Sequence, residues 1–264
     1  MADEKKRWKW IDRVSSWDVW KPPLRPSQED VAFVEQKLSQ IDNPLILLLG
    51  VTPEFARLER IEFRIQAVDI SDAMIEKVWP GDSTLRKVYN ADWFVLGERA
   101  SNFDAVLGDG VLTVVWPPED LSFLENVAAA LKVGGKFITR VYLLPEKRKS
   151  INTIIENANS NISQFKLELL KHVAAENNGV AILSRVYNKF NEIRNRIPIG
   201  KLGWTKDDLT TVEIYKGSME TYTFFTRQKC MELFAAANFE VEETFVGTDP
   251  WSAECPTFVL RRVR

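Results

Sequence analysis

The stretch Leu45–Gly50, read together with the eight residues after it as LILLLGVTPEFARL, constrains this chain more than any other. Leu45 to Leu49 is an unbroken apolar run. A run that short, closed by a turn, is what a strand buried on both faces looks like. Thr52 is placed to cap the next helix. Pro53 suits the first helical position, where a backbone N–H has no partner within the helix. The reading is buried strand, tight turn at Gly50, helix N-terminus. Open α/β sheets bind ligands at the carboxyl ends of such strands.

The pattern then repeats. Residues 61–69 end in IQAVD, which predicts a second buried strand finishing on Asp69. Ser71 is placed to cap a helix from Asp72 to about Val78, stopped by WPGD. Residues 85–90 predict a third strand with a turn at Ala91-Asp92-Trp93, and residues 103–108 a fourth, followed by Asp109-Gly110. PPEDLSFLENVAAALKVGG predicts a helix, with proline at its start, acids in the first turn, lysine in the last and glycine after. KFITRV, residues 136–141, predicts a fifth strand. This alternation over 45–143 argues a parallel sheet with helices on both faces. Near the other end, residues 226–238 predict a helix, and 239–245 with 257–262 a closing antiparallel pair.

Two segments stand outside that rhythm. Residues 1–28 carry Trp8, Trp10, Trp17 and Trp20 and then KPPLRPS. Ser27 can cap a new helix with Glu29 and Asp30 in its first turn, and Val31, Val34, Leu38 and Ile41 share its apolar face. The tryptophans either pack a flap onto the core or, in Trp17 and Trp20, form an apolar lid over a ligand. Residues 144–214 predict two or three inserted helices, with Ile182, Leu183, Val186, Tyr187, Phe190 and Ile193 at helical spacing. Between Glu146 and Lys201 stand ten Lys or Arg against five Glu. That excess is either a solvated face or a cap that meets an anionic substrate.

The 264 residues, 45% hydrophobic, suit one large α/β domain carrying an insertion. Its parts are a flap and helix over 1–43, a core over 44–143, the insertion over 144–214, and a helix with a strand pair over 215–264. A net charge of −2 provides no field that would gather nucleic acid or anionic lipid. Cys230 and Cys255 make neither a disulfide framework nor a metal-ligand spacing, so no metal site is expected and a reducing compartment fits. MADEKKRWKW lacks the apolar core of a signal peptide, and no apolar run reaches membrane-spanning length. A cytoplasmic location follows as an expectation.

Taken together, LLLGVTPEF, AVDISDAMI, NADW, FDAVLGDG and LKVGGKFITR resemble, in order and spacing, the motifs of the class I S-adenosylmethionine-dependent methyltransferases. The resemblance covers about residues 44–143 and the closing helix and strand pair. It implies a Rossmann-like three-layer sandwich, with a seven-stranded, mostly parallel sheet whose last strand is reversed and the helical insertion after strand five. It implies S-adenosyl-L-methionine as cofactor, held by Gly50, Thr52, Asp69, Ile70, Ala91, Asp92, Trp93, Asp109 and Gly110, with Trp17 and Trp20 as the candidate lid. In the family the loop after the first strand cradles the amino-acid end of the cofactor. Glycine at 50 lets a backbone approach a ligand where a Cβ would intrude. Asp69 is placed to accept both ribose hydroxyls, since a carboxylate has two acceptor oxygens. Its other reading is a cap for the Ser71 helix. Asp92 falls where the family contacts the adenine amino group, and otherwise is a turn residue. Met74 reads as core.

The chain departs from the family at Leu48, where the family carries an acid, and at Thr52 and Glu54, where it carries glycines. The loop must therefore differ in shape, and Glu54 is the candidate to replace the missing acid against the cofactor's ammonium. No glycine lies between Gly50 and Gly81, which argues against a nicotinamide dehydrogenase. VLTVVWPPE after Gly110 differs from the Asn/Asp-Pro-Pro-aromatic sequence of base-amino methyltransferases, and no basic surface is in evidence, so no nucleic-acid substrate is expected. Methyl transfer is an in-line displacement that proximity can largely drive, and a base is needed only for a weakly acidic nucleophile. Asp109 is the weak candidate for a catalytic role. His172, the single histidine, reads as structural. The expected activity is S-adenosylmethionine-dependent methylation of a small-molecule acceptor. The alternative is a cofactor-binding or scaffold protein that kept the fold without the reaction.

Overall fold

The structure is a computed structural model that describes residue 14, 17–58, 60, 62–99 and 102–264. Trp8 and Trp10 of the expected flap lie outside these described residues. Helix α1, Gln28–Leu38, starts with a reciprocal capping box: Ser27 Oγ accepts from Asp30 N, and the Asp30 carboxylate accepts from Ser27 N. Strand β1 is Leu45–Leu49 and the short helix α2 is Pro53–Ala56. Then come β2 (Arg64–Asp69), α3 (Asp72–Val78), β3 (Arg86–Asn90), a 3-10 turn (Trp93–Arg99), β4 (Phe103–Asp109), α4 (Val111–Val114), α5 (Asp120–Ala130) and β5 (Leu131–Arg140). Helices α6 (Ile151–Glu156) and α7 (Ile162–Ala175) precede strand β6 (Val180–Ile182). Helices α8 (Leu183–Ile193), α9 (Ile199–Leu202) and α10 (Lys206–Glu213) precede strand β7 (Thr221–Thr223). The chain closes with α11 (Arg227–Ala236), β8 (Phe239–Phe245) and β9 (Thr257–Arg262).

These elements form two compact units. The sheet unit is Pro26–Leu143 with Phe225–Arg264, and the helical unit is Leu144–Phe224 with the described residues up to Arg25. The sheet unit holds seven strands in the order β3-β2-β1-β4-β5-β9-β8. β1 pairs parallel with β2 and β4, while β9 runs antiparallel between β5 and β8. The seven-stranded, mostly parallel sheet with one reversed strand is therefore present. Leu47 and Leu49 face one core with Phe123 of α5 and Phe234 of α11. Ile46 and Leu48 face the other with Phe33 and Leu38 of α1. Helices thus cover both faces, which is why β1 carries no polar residue. Burying each of its side chains is worth about 1.5–3 kcal/mol. The chain runs from β1 out to β3 and returns to β4 on the other side, so the carboxyl ends of β1 and β4 flank a topological switch point.

Several expectations are corrected. Thr52 occupies the cap position of α2, but its side chain makes no capping bond. Two of the first helical N–H groups, those of Phe55 and Ala56, turn instead to the Thr52 carbonyl. The helix expected to run through Lys132 ends at Ala130. Leu131 is fully buried and pairs with Phe103, and Lys132 reaches the Asp104 carboxylate, so strand pairing wins over another helical turn. The insertion holds five helices rather than two or three, and Ile182 belongs to a two-stranded ladder with β7. Among the described residues, no helix is long and apolar enough to cross a membrane.

In the helical unit, Leu183, Val186, Phe190 and Ile193 line the buried face of α8 as their spacing predicts. Arg148 pairs with Glu176, Lys149 with Glu168, Lys189 with Glu192 and Arg194 with Glu213, so much of the basic excess is matched inside the unit. His172 is structural. Its Nδ1 lies 3.0 Å from the Lys149 carbonyl, which can only accept, so Nδ1 carries the proton and Nε2 accepts from Arg148 at 3.0 Å.

Candidate functional site

Strand ends bring the site residues of the sheet unit together. Gly50 follows the last residue of β1 at φ +86°, a backbone state that strains any other residue. Its N–H donates to the Val68 carbonyl at 2.8 Å, and Trp93 Nε1 donates to the same oxygen at 3.0 Å. One carbonyl thereby ties the turn after β1 to the indole after β3. A Cβ built on Gly50 would lie 3.7 Å from Trp93 Cζ2 and 3.8 Å from Asp69 Oδ2. The glycine, the carboxylate and the indole edge thus face one another around a space that a side chain at 50 would occupy.

Asp69 closes β2 and is 8% exposed. Its Oδ1 accepts from Ser71 N at 2.8 Å, while Oδ2 is the oxygen facing Gly50. Ser71 itself caps α3 by accepting from Met74 N. One Asp69 oxygen therefore serves the turn before α3, and the other faces Gly50. Burial raises the carboxyl pKa to about 6, and the Ser71 bond opposes that rise. Ala91 N donates to the Asp69 carbonyl at 3.1 Å, which sets the loop after β3 against the end of β2. Asp92 is half-buried and spends Oδ1 on Phe94 N at 3.0 Å, which is the turn reading, the alternative to the expected adenine contact.

At the ends of β4 and β5 lies an ionic knot. Arg140 is 1% exposed. Its Nε and Nη2 donate to Asp109 Oδ1 and Oδ2 at 2.7 and 3.2 Å, Nη2 also donates to the Tyr142 hydroxyl at 3.1 Å, and Nη1 lies 3.7 Å from Asp30 Oδ2. Burial raises the Asp109 carboxyl above its ordinary value, the guanidinium opposes this, and the charges of Asp30 and Glu54 add to the rise. With both oxygens engaged, Asp109 is a strut that fixes the strand end. It is poorly placed to take a substrate proton. Gly110 at φ +62° is required there, since a Cβ would fall 2.7 Å from the Tyr142 ring.

The chain matches no protein-family model and no curated protein. Solved structures do match. The 1,6-didemethyltoxoflavin N1-methyltransferase of Burkholderia thailandensis, with bound 1,6-didemethyltoxoflavin and S-adenosylhomocysteine, aligns with 97% of this chain and 81% of its own, at 13% identity and a TM-score of 0.52. The magnesium protoporphyrin IX methyltransferase of Synechocystis, with bound S-adenosylhomocysteine, aligns with 88% of this chain and 82% of its own, at 11% identity and a TM-score of 0.52. A Rhodobacter sphaeroides protein assigned to the Zn-dependent alcohol dehydrogenases aligns with 95% of this chain and 98% of its own, at 13% identity and a TM-score of 0.63. The strand order β3-β2-β1-β4-β5-β9-β8 with its reversed β9 is consistent with a Rossmann-like methyltransferase fold. The chain has the class I methyltransferase fold. At these identities the likeness is one of fold.

Placed on the methyltransferase fold, the expected residues divide into groups. Gly50, Asp69, Ala91 and Trp93 meet at the ends of β1, β2 and β3. Ile70 follows Asp69 and offers its carbonyl to Asn90. Thr52 is buried beside Gly50. Met74 is buried, as a core position should be. Asp109 and Gly110 join the knot with Arg140 and Tyr142. Trp17 and Trp20 belong to the helical unit. Among the described residues, no group of three His, Cys, Asp or Glu side chains is arranged to hold a metal ion. Sequence reasoning missed Arg140 and Tyr142. The signal available was an arginine directly after the buried run Phe137, Ile138 and Thr139, where only a paired charge is tolerable.

Proposed function

We propose that the sheet unit binds S-adenosyl-L-methionine at the carboxyl ends of β1, β2 and β3, and that the protein methylates a small-molecule acceptor. The observation that carries the reading is the pair formed by Gly50 and Asp69: a positive-φ glycine without a Cβ, faced by a buried carboxylate oxygen. That cradle fits the ligand. Oδ2 of Asp69 can accept from a ribose hydroxyl, and the half-buried Trp93 offers a ring beside it. When bound, the cofactor supplies a methyl group activated on a sulfonium. The residues of the chain bind and orient. Asp69 holds the sugar, Trp93 and Ala91 border the ring, and the Arg140–Asp109 strut keeps the ends of β4 and β5 fixed. Neighbours of this fold, both with bound S-adenosylhomocysteine and one with bound 1,6-didemethyltoxoflavin, support the reading.

Calorimetry with S-adenosylhomocysteine tests it. Asp69→Ala should weaken binding by about 1.5–3 kcal/mol, the range for hydrogen bonds to a charged group. The fold should survive, because the residue ends its strand. Unchanged affinity in the folded variant overturns the assignment.

A further inference from the structure

A backbone carbonyl has two lone pairs, and a parallel ladder uses one of them. Val68 stands next to the end of β2, in register with Leu49 of β1 and Tyr89 of β3. Its oxygen accepts from Gly50 N at 2.8 Å, which continues the ladder beyond β1, and from Trp93 Nε1 at 3.0 Å. The second bond is an addition that the sheet does not require. Indole is a donor only, so this one bond satisfies it and fixes the edge of the ring that carries it.

Other contacts hold the same ring. Its centroid lies 6.0 Å from that of Phe123, at 48°, and Phe94 lies 6.1 Å from Phe123, at 60°. Phe123 is fully buried, so the footing is firm. Phe94 N donates to Asp92 Oδ1 and Ala91 N to the Asp69 carbonyl, which closes the turn that carries the indole. The pinned ring turns its Cζ2 edge to the cradle. The point where a Cβ on Gly50 would stand is 3.7 Å from that atom and 3.8 Å from Asp69 Oδ2, so one carbon-sized atom there touches both. A binding constellation has to be held to within about 0.5 Å, and Gly50 alone cannot do this, because glycine moves readily between backbone states. All of these residues belong to the sheet unit.

We infer that Trp93 is a positioning residue of the cradle: its N–H, anchored on the Val68 carbonyl, holds the indole edge opposite Asp69 and so sets the gap into which the nucleoside part of the cofactor fits. The inference rests on the proposed binding of S-adenosyl-L-methionine and assigns the donor a role apart from the ring surface. Replacing Trp93 by benzothienylalanine tests it, because sulfur takes the place of the N–H while ring size and shape are kept. Affinity for S-adenosylhomocysteine per folded molecule, from calorimetry with the folded fraction from circular dichroism, should fall about tenfold, equal to about 1.4 kcal/mol. The same replacement in an Asp69→Ala background should cost less than about twofold, since the gap then lacks its other side. If the isostere fails to fold, Trp93→Phe, which also lacks the donor, carries both expectations.

Parental affinity in the isostere overturns the inference, because the ring alone would then suffice. An equal loss in both backgrounds overturns it too, since a purely structural role lowers both by the same factor. Either result, with the parent binding S-adenosylhomocysteine, spares the proposed function. A parent that does not bind it, or an Asp69→Ala variant that binds as well as the parent, sinks the proposed function and this inference with it.

Discussion

Burial sets the Asp69 carboxyl at a pKa of about 6 in the ligand-free protein, against an ordinary value of 3.8. The sign of the consequence comes from proton counting. Between those two values the folded state holds a proton that the unfolded state has lost, so stability falls as pH rises through the window. The full cost, about 3 kcal/mol for a shift of roughly two units, is present above the upper value. Asp69→Asn keeps an oxygen for Ser71 N and removes the charge. The variant should match the parent in urea unfolding near pH 4 and exceed its stability above pH 6. It should also lose affinity for S-adenosylhomocysteine, because the amide offers one acceptor where the carboxylate offers two. In the parent protein, affinity should fall as pH drops through 6, since the protonated carboxyl no longer accepts at both oxygens. A pH series of calorimetric titrations checks this, and a flat profile removes Asp69 from the binding site. Asp109 has its pKa raised by burial as well, but it has a charged partner. Its charge is compensated in place by Arg140, and Arg140→Met should cost about 3–5 kcal/mol by leaving that carboxylate buried alone. A urea midpoint close to the parent's would show that the knot is dispensable.

The turn after β1 is the element on which the site depends. Gly50→Ala places a Cβ at a φ of +86°, a strain of about 1–2 kcal/mol, in a space where the nearest atoms are 3.7 and 3.8 Å away. The room is therefore adequate for a methyl group in the free protein. The variant should fold with a modestly lowered melting temperature and lose most of its affinity for S-adenosylhomocysteine, because the methyl fills the cradle. Retained affinity would move the ligand elsewhere. This element was legible in the sequence because its signals are local: an apolar run, a glycine, then proline at a helix start. Asp69 and Ser71 were legible for the same reason, as was the capping box of Ser27 and Asp30. The Arg140 knot was not. Asp30, Asp109, Arg140 and Tyr142 come from a helix start and the ends of two strands, and no periodicity links them. The ladder of β6 and β7 escaped as well. Three-residue strands carry almost no pattern, and their pairing Val180↔Thr223 is set by the helices folded between them.

On the scale of the whole molecule, the N-terminal segment and the insertion share one unit. Lys21 N donates to Ser163 Oγ at 3.0 Å, and Asn161 Nδ2 donates to the Pro22 carbonyl at 2.7 Å. Trp20 packs over Lys166, which lies in α7. The cradle of Gly50 and Asp69 belongs entirely to the sheet unit. This division of residues separates two accounts of Trp17 and Trp20. As a lid over the sulfonium they would contribute to cofactor retention. As packing within the helical unit they would contribute to stability alone. Deleting residues 1–20 removes both indoles and the aromatic face over Lys166. Losing so large a buried ring costs about 3–5 kcal/mol, so the melting temperature should fall. Affinity for S-adenosylhomocysteine per folded molecule should stay at the parent's value. Circular dichroism supplies the folded fraction, and calorimetry with S-adenosylhomocysteine supplies the affinity. If the deletion weakens the S-adenosylhomocysteine interaction while the folded fraction is intact, the tryptophans serve the cofactor and the packing account fails.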